Sequence, residues 1–172
     1  MRINVYNVLY CIHFLMRVGD KLMIQPIGED RVRHMSNVAA YMYEKAPDYN
    51  LNPEYMYVLG LIHDIGYIDE GENHAQYGSQ LLYDIGLRDT DNFSFNTMIA
   101  NHSSVPDFEM DWNNEEHRMK YLLYEADMRI NSTGKLVDYD RRLEDIYTRY
   151  GDSERIDICT EVVNWLQKYE KK

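Results

Sequence analysis

Residues 59–66 read LGLIHDIG, an apolar run that ends in an adjacent histidine and aspartate, His63 and Asp64. The apolar residues before the pair have helical spacing, so the pair is predicted at a helix end. Together the two side chains project a borderline and a hard metal ligand from one backbone segment. We expect Gly66 to let the chain turn sharply enough for both to face one ion. The stretch therefore indicates a buried metal site.

Length and composition bound the class of protein. With 172 residues, 45% of them hydrophobic, the chain can bury one core, which predicts a single domain over residues 1–172. The formal charge of −11 argues against a long nucleic acid as partner, because neutralising phosphates requires a positive surface. A small anionic substrate is compatible, since metal ions supply positive charge locally. Cys11 and Cys159 form no CxxC pair, so neither a disulfide framework nor a thiolate zinc site is indicated, and a cytoplasmic location is favoured.

The apolar run at residues 5–16 has two interpretations, a signal peptide or a helix of the fold. Arg2 precedes it, but His13 lies inside it, Arg17 closes it and no small-residue cleavage site follows. The run is also too short to cross a bilayer. We therefore predict a helix at about residues 4–18 that packs on the core, without membrane contact, and keep membrane or secretory targeting as the alternative.

Helical periodicity extends over most of the chain. Helices are predicted at about residues 29–45, 53–62, 74–85, 95–101, 115–130, 139–150 and 156–169. Asp152 or Ser153 is expected to cap the last of them. No stretch alternates as a strand does, and there is no internal repeat. The predicted fold class is all-α, a single-domain bundle of about six to eight helices.

Further residues of metal-ligand type lie before and after the His-Asp pair in the chain. They are His34, His74, His102 and Asp127. His34 shares a helical stripe with Val38 and Tyr41, so it faces the interior. A single buried histidine is more often a hydrogen-bonded core residue than a ligand, and we assign His13 and His117 to that class. The other four, together with the His-Asp pair, favour one shared metal site.

On these residues the chain resembles the HD-domain superfamily, and the letters HDIG at residues 63–66 place the resemblance in its HDIG subset. The superfamily pattern is a helical histidine, the His-Asp pair and a later aspartate, all binding a divalent cation. The matching residues are His34, His63, Asp64 and Asp127. The resemblance covers about residues 29–131, with the C-terminal helices at about 139–169 outside it. It implies a metal-dependent phosphohydrolase.

Some branches of the superfamily hold two metals through two additional histidines, and His74 and His102 match those positions. The arrangement is similar to small bacterial hydrolases of symmetrical dinucleoside polyphosphates and to mixed-valent di-iron oxygenases. It implies that Asp64 bridges two ions. The remaining ligands then divide into His34, His63 and Asp127 on one ion and His74 and His102 on the other. Nitrogen and oxygen ligands without cysteine suit one or two ions of Fe, Mn, Co, Ni or Zn.

The resemblance implies a water activated by the metal, with Asp64 as the catalytic residue, and a small phosphorylated substrate, for which a nucleotide is favoured. Arg31 and Arg129 lie close in sequence to the ligands, and a guanidinium group matches phosphate. They are the candidate substrate-binding residues, with solvated or paired surface arginines as the alternative. The C-terminal helix carries Arg141, Arg142 and Arg149, and Glu144 and Asp145 on the same helix offer them local partners.

Several points stay open at the level of sequence. Tyr67 stands where the dinucleoside polyphosphate hydrolases carry a lysine, which leaves the substrate undecided. A homodimer is neither indicated nor excluded. Two other functions remain, a di-iron oxygenase on the same ligands and a noncatalytic sensor module that the metal stabilises. A hydrolase should work without oxygen, an oxygenase should not, and a structural site should be coordinatively closed.

Overall fold

Seven α-helices make up the part of the chain that the structure describes. The computed structural model describes residues 27–68, 73–84, 86–87, 89 and 94–170. The helices are α1 (Glu29–Lys45), α2 (Pro53–Ile62), α3 (His74–Asp84), α4 (Phe95–Asn101), α5 (Glu115–Arg129), α6 (Tyr139–Tyr150) and α7 (Glu154–Tyr169). Within these residues the β structure is one isolated bridge, between Ile130 and Leu136. The all-α prediction is confirmed, and the helix predicted at residues 4–18 lies outside the described residues.

Short polar residues define where several helices begin. Asn52, Asn114 and Asp138 each accept a hydrogen bond from a backbone N–H in the first turn of α2, α5 and α6. The last helix begins at Glu154, two residues earlier than predicted, with Ser153 at the N-cap position. The Ser153 hydroxyl makes no capping hydrogen bond. Over the described residues, no helix is both long enough and apolar enough to cross a membrane.

Two hydrophobic clusters stabilise the fold, and α5 contributes to both. The first, here called the aliphatic core, joins α1 to α5 through residues such as Val38, Met42, Leu59, Ile62 and Leu122. The second, the aromatic core, joins α5, α6 and α7 through residues such as Tyr121, Tyr124, Tyr139, Ile146 and Leu166. Burial of such side chains removes apolar surface from water and is the main favourable term in folding. The candidate site lies where the two cores meet.

Gly66 is required by close packing. The short 3-10 turn Ile65–Ile68 follows the His-Asp pair and contacts α3. A Cβ atom on Gly66 would overlap the carbonyl oxygen of His74 and lie 2.7 Å from the backbone nitrogen of Gly78. Its φ angle is not in the left-handed region, unlike that of Gly86. Gly66 therefore serves the contact with α3, rather than the sharp turn expected from the sequence, and so holds His74 near the pair.

Candidate metal centre

Five segments bring the six predicted ligands to one place. They are His34 in α1, His63 and Asp64 just after α2, His74 at the start of α3, His102 just after α4 and Asp127 in α5. The histidines and Asp64 are buried, whereas the Asp127 side chain keeps 25% of its surface exposed. The cluster is thus internal but accessible from one side.

The carboxylate of Asp64 is the centre of the cluster. Its Oδ1 lies 3.2 Å from Nε2 of His102 and 3.4 Å from Nε2 of His74. Its Oδ2 lies 3.5 Å from Nε2 of His63 and 3.8 Å from Nε2 of His34. Each oxygen of one carboxylate therefore faces a different pair of histidines.

Main-chain carbonyl groups fix three of the imidazole rings. The carbonyl partners of Nδ1 are Asn131 O for His34 (3.1 Å), Gly60 O for His63 (2.7 Å) and Ile99 O for His102 (2.6 Å). A carbonyl oxygen can only accept, so each Nδ1 carries the hydrogen. In the neutral ring Nε2 is then a bare lone pair directed at the carboxylates, as in histidines that bind metals.

These lone pairs fit a cation. Nε2 of His63 is buried and has no hydrogen-bond partner among the described residues. Burial lowers the pKa of His63 to about 4, so the ring is neutral at neutral pH. Two sets of three ligand atoms lie within 4.8 Å of one another. They are His34, His63 and Asp127, and His63, Asp64 and His102. A divalent metal ion would satisfy nitrogen and oxygen atoms that otherwise repel each other.

Neighbouring groups keep the Asp64 carboxylate ionised. Burial raises its pKa, but the neighbouring His63 and Arg31 outweigh burial and hold the pKa well below its usual range. Burial lowers the pKa of His74. Burial acts on His102 in the same direction, but the hydrogen bond and charge of Asp64 raise its pKa overall. The cluster therefore has a permanent negative charge at its centre.

Arg31 and Tyr67 form the edge of the cluster. Nη1 of Arg31 donates a hydrogen bond to Oδ2 of Asp64 at 2.5 Å. The Arg31 guanidinium carbon lies 3.9 Å from the centroid of the Tyr67 ring, and the ring of His74 stacks on Tyr67 at 4.0 Å. Two planar groups at these distances must occupy opposite faces of the ring. Tyr67 is therefore held between a candidate phosphate-binding residue and a candidate ligand.

Arg129 does not join the site. Each residue of a helix advances by about 100°, so Arg129 points away from Asp127, two positions earlier in α5. Its guanidinium carbon lies 5.0 Å from the centroid of the Tyr139 ring, and it is absent from the lining of the cavity beside the ligands. Arg31, by contrast, is three residues from His34 and shares its face of α1. Closeness in sequence to a candidate ligand therefore predicted a place in the site only for the arginine that lies on the same helical face as that ligand.

Sequence reasoning missed Arg142, which lies directly behind Asp127. Arg142 is 5% exposed, and it donates to Oδ1 of Asp127 at 3.2 Å and to its carbonyl oxygen at 3.1 Å. Burial raises the pKa of Asp127, but the contacts with His34 and Arg142 lower it far more. The expected pairing within α6 is also present, because Arg142 contacts Asp145 at 3.0 Å. Its place three residues after the buried Tyr139 could have indicated that it faces inward.

A cavity of about 420 Å³ opens on the cluster. Asp64, His74, His102 and Asp127 line one side of it. Four arginines also line it, namely Arg31, Arg142, Arg149 and Arg155. The volume suits a small molecule. Arginines concentrated in one cavity of a chain with charge −11 favour an anionic ligand.

The helical fold and this centre define a class, the all-α proteins with histidine and aspartate groups that can hold a divalent metal. The HD domain family model matches residues 31–145, more than half of the 172 residues. The chain therefore belongs to the HD domain family. No curated protein and no solved structure matches it. HD domains bind divalent metals and are generally metal-dependent phosphohydrolases, and the His and Asp groups described above supply ligands for such an ion.

Proposed function

We propose that this protein is a metal-dependent phosphohydrolase that cleaves a small phosphorylated molecule, with a nucleotide as the favoured substrate. The observation that carries the proposal is that four of the six candidate ligands and four arginines line one cavity. The cluster supplies the metal ligands, and guanidinium groups match the geometry of phosphate. Reaction and substrate binding can then occur in the same space.

We further propose two metal ions, with Asp64 as the bridging ligand. Its two oxygens face different histidine pairs, His34 with His63 on one side and His74 with His102 on the other. Such a division supports the dinuclear branch of the superfamily, which includes the dinucleoside polyphosphate hydrolases. Asp127 lies 3.0 Å from His34 and would complete the first ion's ligands.

Each side chain has a distinct task in this mechanism. When bound, divalent ions supply Lewis acidity, which activates water for attack and neutralises phosphoryl oxygens. Asp64 would connect the two halves of the ligand set, because each of its oxygens faces one pair of histidines. Arg31, which already contacts the Asp64 carboxylate, is placed to bind an oxygen of the reacting phosphoryl group. Arg142 orients Asp127 from behind, because it donates to both its side chain and its carbonyl group.

Phosphate release from nucleotides tests the proposal. The protein is stripped with a chelator and reloaded separately with Mn²⁺, Fe²⁺, Co²⁺, Ni²⁺ or Zn²⁺, then assayed with and without oxygen. We expect metal-dependent release without oxygen. Asp64→Asn should lower it by about 10³-fold or more, because the bound metal is worth several kcal/mol of the barrier. Asp140→Asn, an exposed change on α6, is the matched control.

Metal content separates the remaining functions. Two metals per chain in the wild type, falling toward one in His74→Ala, would support the bridging assignment. Oxygen consumption without phosphate release would identify an oxygenase instead. A tightly bound metal with neither activity, together with unfolding of His102→Ala, would identify a structural site.

A further inference from the structure

One wall of the cavity carries positive charge that the metal ligands do not use. Arg149 at the end of α6 and Arg155 at the start of α7 both line the cavity. Their guanidinium carbons lie 4.9 Å and 4.2 Å from the centroid of the same ring, Tyr150. We call these three residues the arginine wall. They lie beyond residue 145, where the family match ends.

The two arginines of the wall differ in their contacts with carboxylates. Asp145 accepts from Arg149 at 3.0 Å, but it also accepts from Arg142 at 3.0 Å. Arg155 makes no ion pair with any residue that the structure describes, and it interacts with the Tyr150 ring and with the side chain of Tyr67. Glu154 also lines the cavity, again without an ion pair to a described residue. Two like charges on one ring repel, so an anion bound between them would be favoured.

Tyr67 connects the wall to the metal centre. Its ring stacks on His74 and on Arg31, and it also interacts with Arg155. Tyr67 therefore interacts both with Arg155 and with the candidate metal ligand His74. An anion at the wall would lie beside a phosphoryl group at the metal centre, as neighbouring groups of one phosphate chain do.

We propose that Arg149 and Arg155 bind a second phosphoryl group of the substrate, next to the one that reacts at the metal centre. The substrate class is then a molecule with at least two linked phosphoryl groups, rather than a simple monophosphate. The identity of the reacting group rests on the function proposed above. The second group is bound and not cleaved, because the guanidinium forks hold its oxygens away from the ligand cluster.

Binding of two stable probes tests the wall independently of catalysis. Methylenediphosphonate carries two linked phosphonyl groups, and methylphosphonate carries one. Each is titrated calorimetrically into the full chain at constant free Mn²⁺. We expect the diphosphonate to bind at least about tenfold more tightly, since charge-assisted hydrogen bonds are the strong ones. Arg155→Gln and Arg149→Gln should each remove most of this preference and leave methylphosphonate affinity within about twofold.

Arg141→Gln is the control, because Arg141 is exposed on α6, lies outside the cavity lining and carries the same charge. Its preference should equal that of the wild type. Equal binding of the two probes by the wild type, no diphosphonate binding, or a preference unchanged in both wall variants would overturn the proposal. If the preference depends on the wall but no nucleotide is hydrolysed, the wall stands and the hydrolase assignment fails. If nucleotides are hydrolysed but the preference does not depend on the wall, the hydrolase assignment stands and the wall fails.

Discussion

The metal centre and the arginine wall hold their functional groups in different ways. At the metal centre, His34, His63 and His102 are each fixed by a hydrogen bond from Nδ1 to a main-chain carbonyl, and the rings are buried beside the aliphatic core. At the wall, two long side chains rest on one tyrosine ring beside the aromatic core. A main-chain anchor fixes an imidazole precisely enough for metal geometry, whereas a ring face lets a guanidinium group adjust to a ligand.

The two regions are linked through α5 and Arg142. Asp127 projects from α5 into the metal centre, and Arg142 contacts it from α6. The same arginine shares Asp145 with Arg149 of the wall. We therefore expect the effects of substitutions to decrease from the tightly packed metal centre, through this link, to the wall side.

The largest effect on stability is expected at Gly66. Gly66→Ala places a Cβ against the backbone of His74 and Gly78, which cannot move without displacing α3. We expect a loss of about 3 kcal/mol or more in the free energy of unfolding, because overpacking against backbone exceeds ordinary core strain. Metal content should also fall, since His74 moves with α3. Urea unfolding and elemental analysis measure the two results.

Gly28→Ala is the matched control for that change, because a Cβ on Gly28 meets nothing within 4 Å. It should leave both stability and metal content close to those of the wild type. A Gly66→Ala protein with normal stability and metal content would show that the metal centre tolerates displacement, and the contrast with the wall would be lost.

An intermediate effect is expected at the link. Arg142→Gln removes the donors behind Asp127, and partners in this position typically contribute 10- to 100-fold to metal affinity. We expect a loss of about that size, measured by competition with a chelating dye. Arg141→Gln, on the exposed face of the same helix, should change nothing. Unchanged affinity in Arg142→Gln would mean that His34 alone positions Asp127.

Much of the fold could be predicted because its signals are local. Helix α4 and helix α6 have the predicted bounds, 95–101 and 139–150, since apolar spacing acts within one helix. The six candidate ligands could be singled out because their residue types and order are visible in the chain. Arg142, Arg149 and Arg155 could not be assigned to the cavity, because their positions depend on how α6 and α7 pack against α5.

The smallest effect is expected at Asp145, on the wall side of the link. Partial burial raises the pKa of Asp145. Hydrogen bonds from Ser132 and the charges of Arg149 and Arg142 lower it by more than burial raises it, so the net shift is downward. A carboxyl whose pKa is lower in the folded state stabilises the fold above its unfolded pKa of about 3.9. That contribution is lost as the pH falls through the folded pKa. Asp145→Asn should thus cost about 1 kcal/mol at pH 7, and the difference from wild type should shrink below about pH 4.

Urea unfolding of the metal-free proteins at several pH values measures this difference without loss of metal at acid pH. Asp140→Asn, exposed on the same helix, should track the wild type throughout. A cost at Asp145 that stays constant down to acid pH would show that the site depends on hydrogen-bond geometry and not on charge. The arginines would then be held by shape as firmly as the histidines are, and the difference between the two regions would lie only in their ligands.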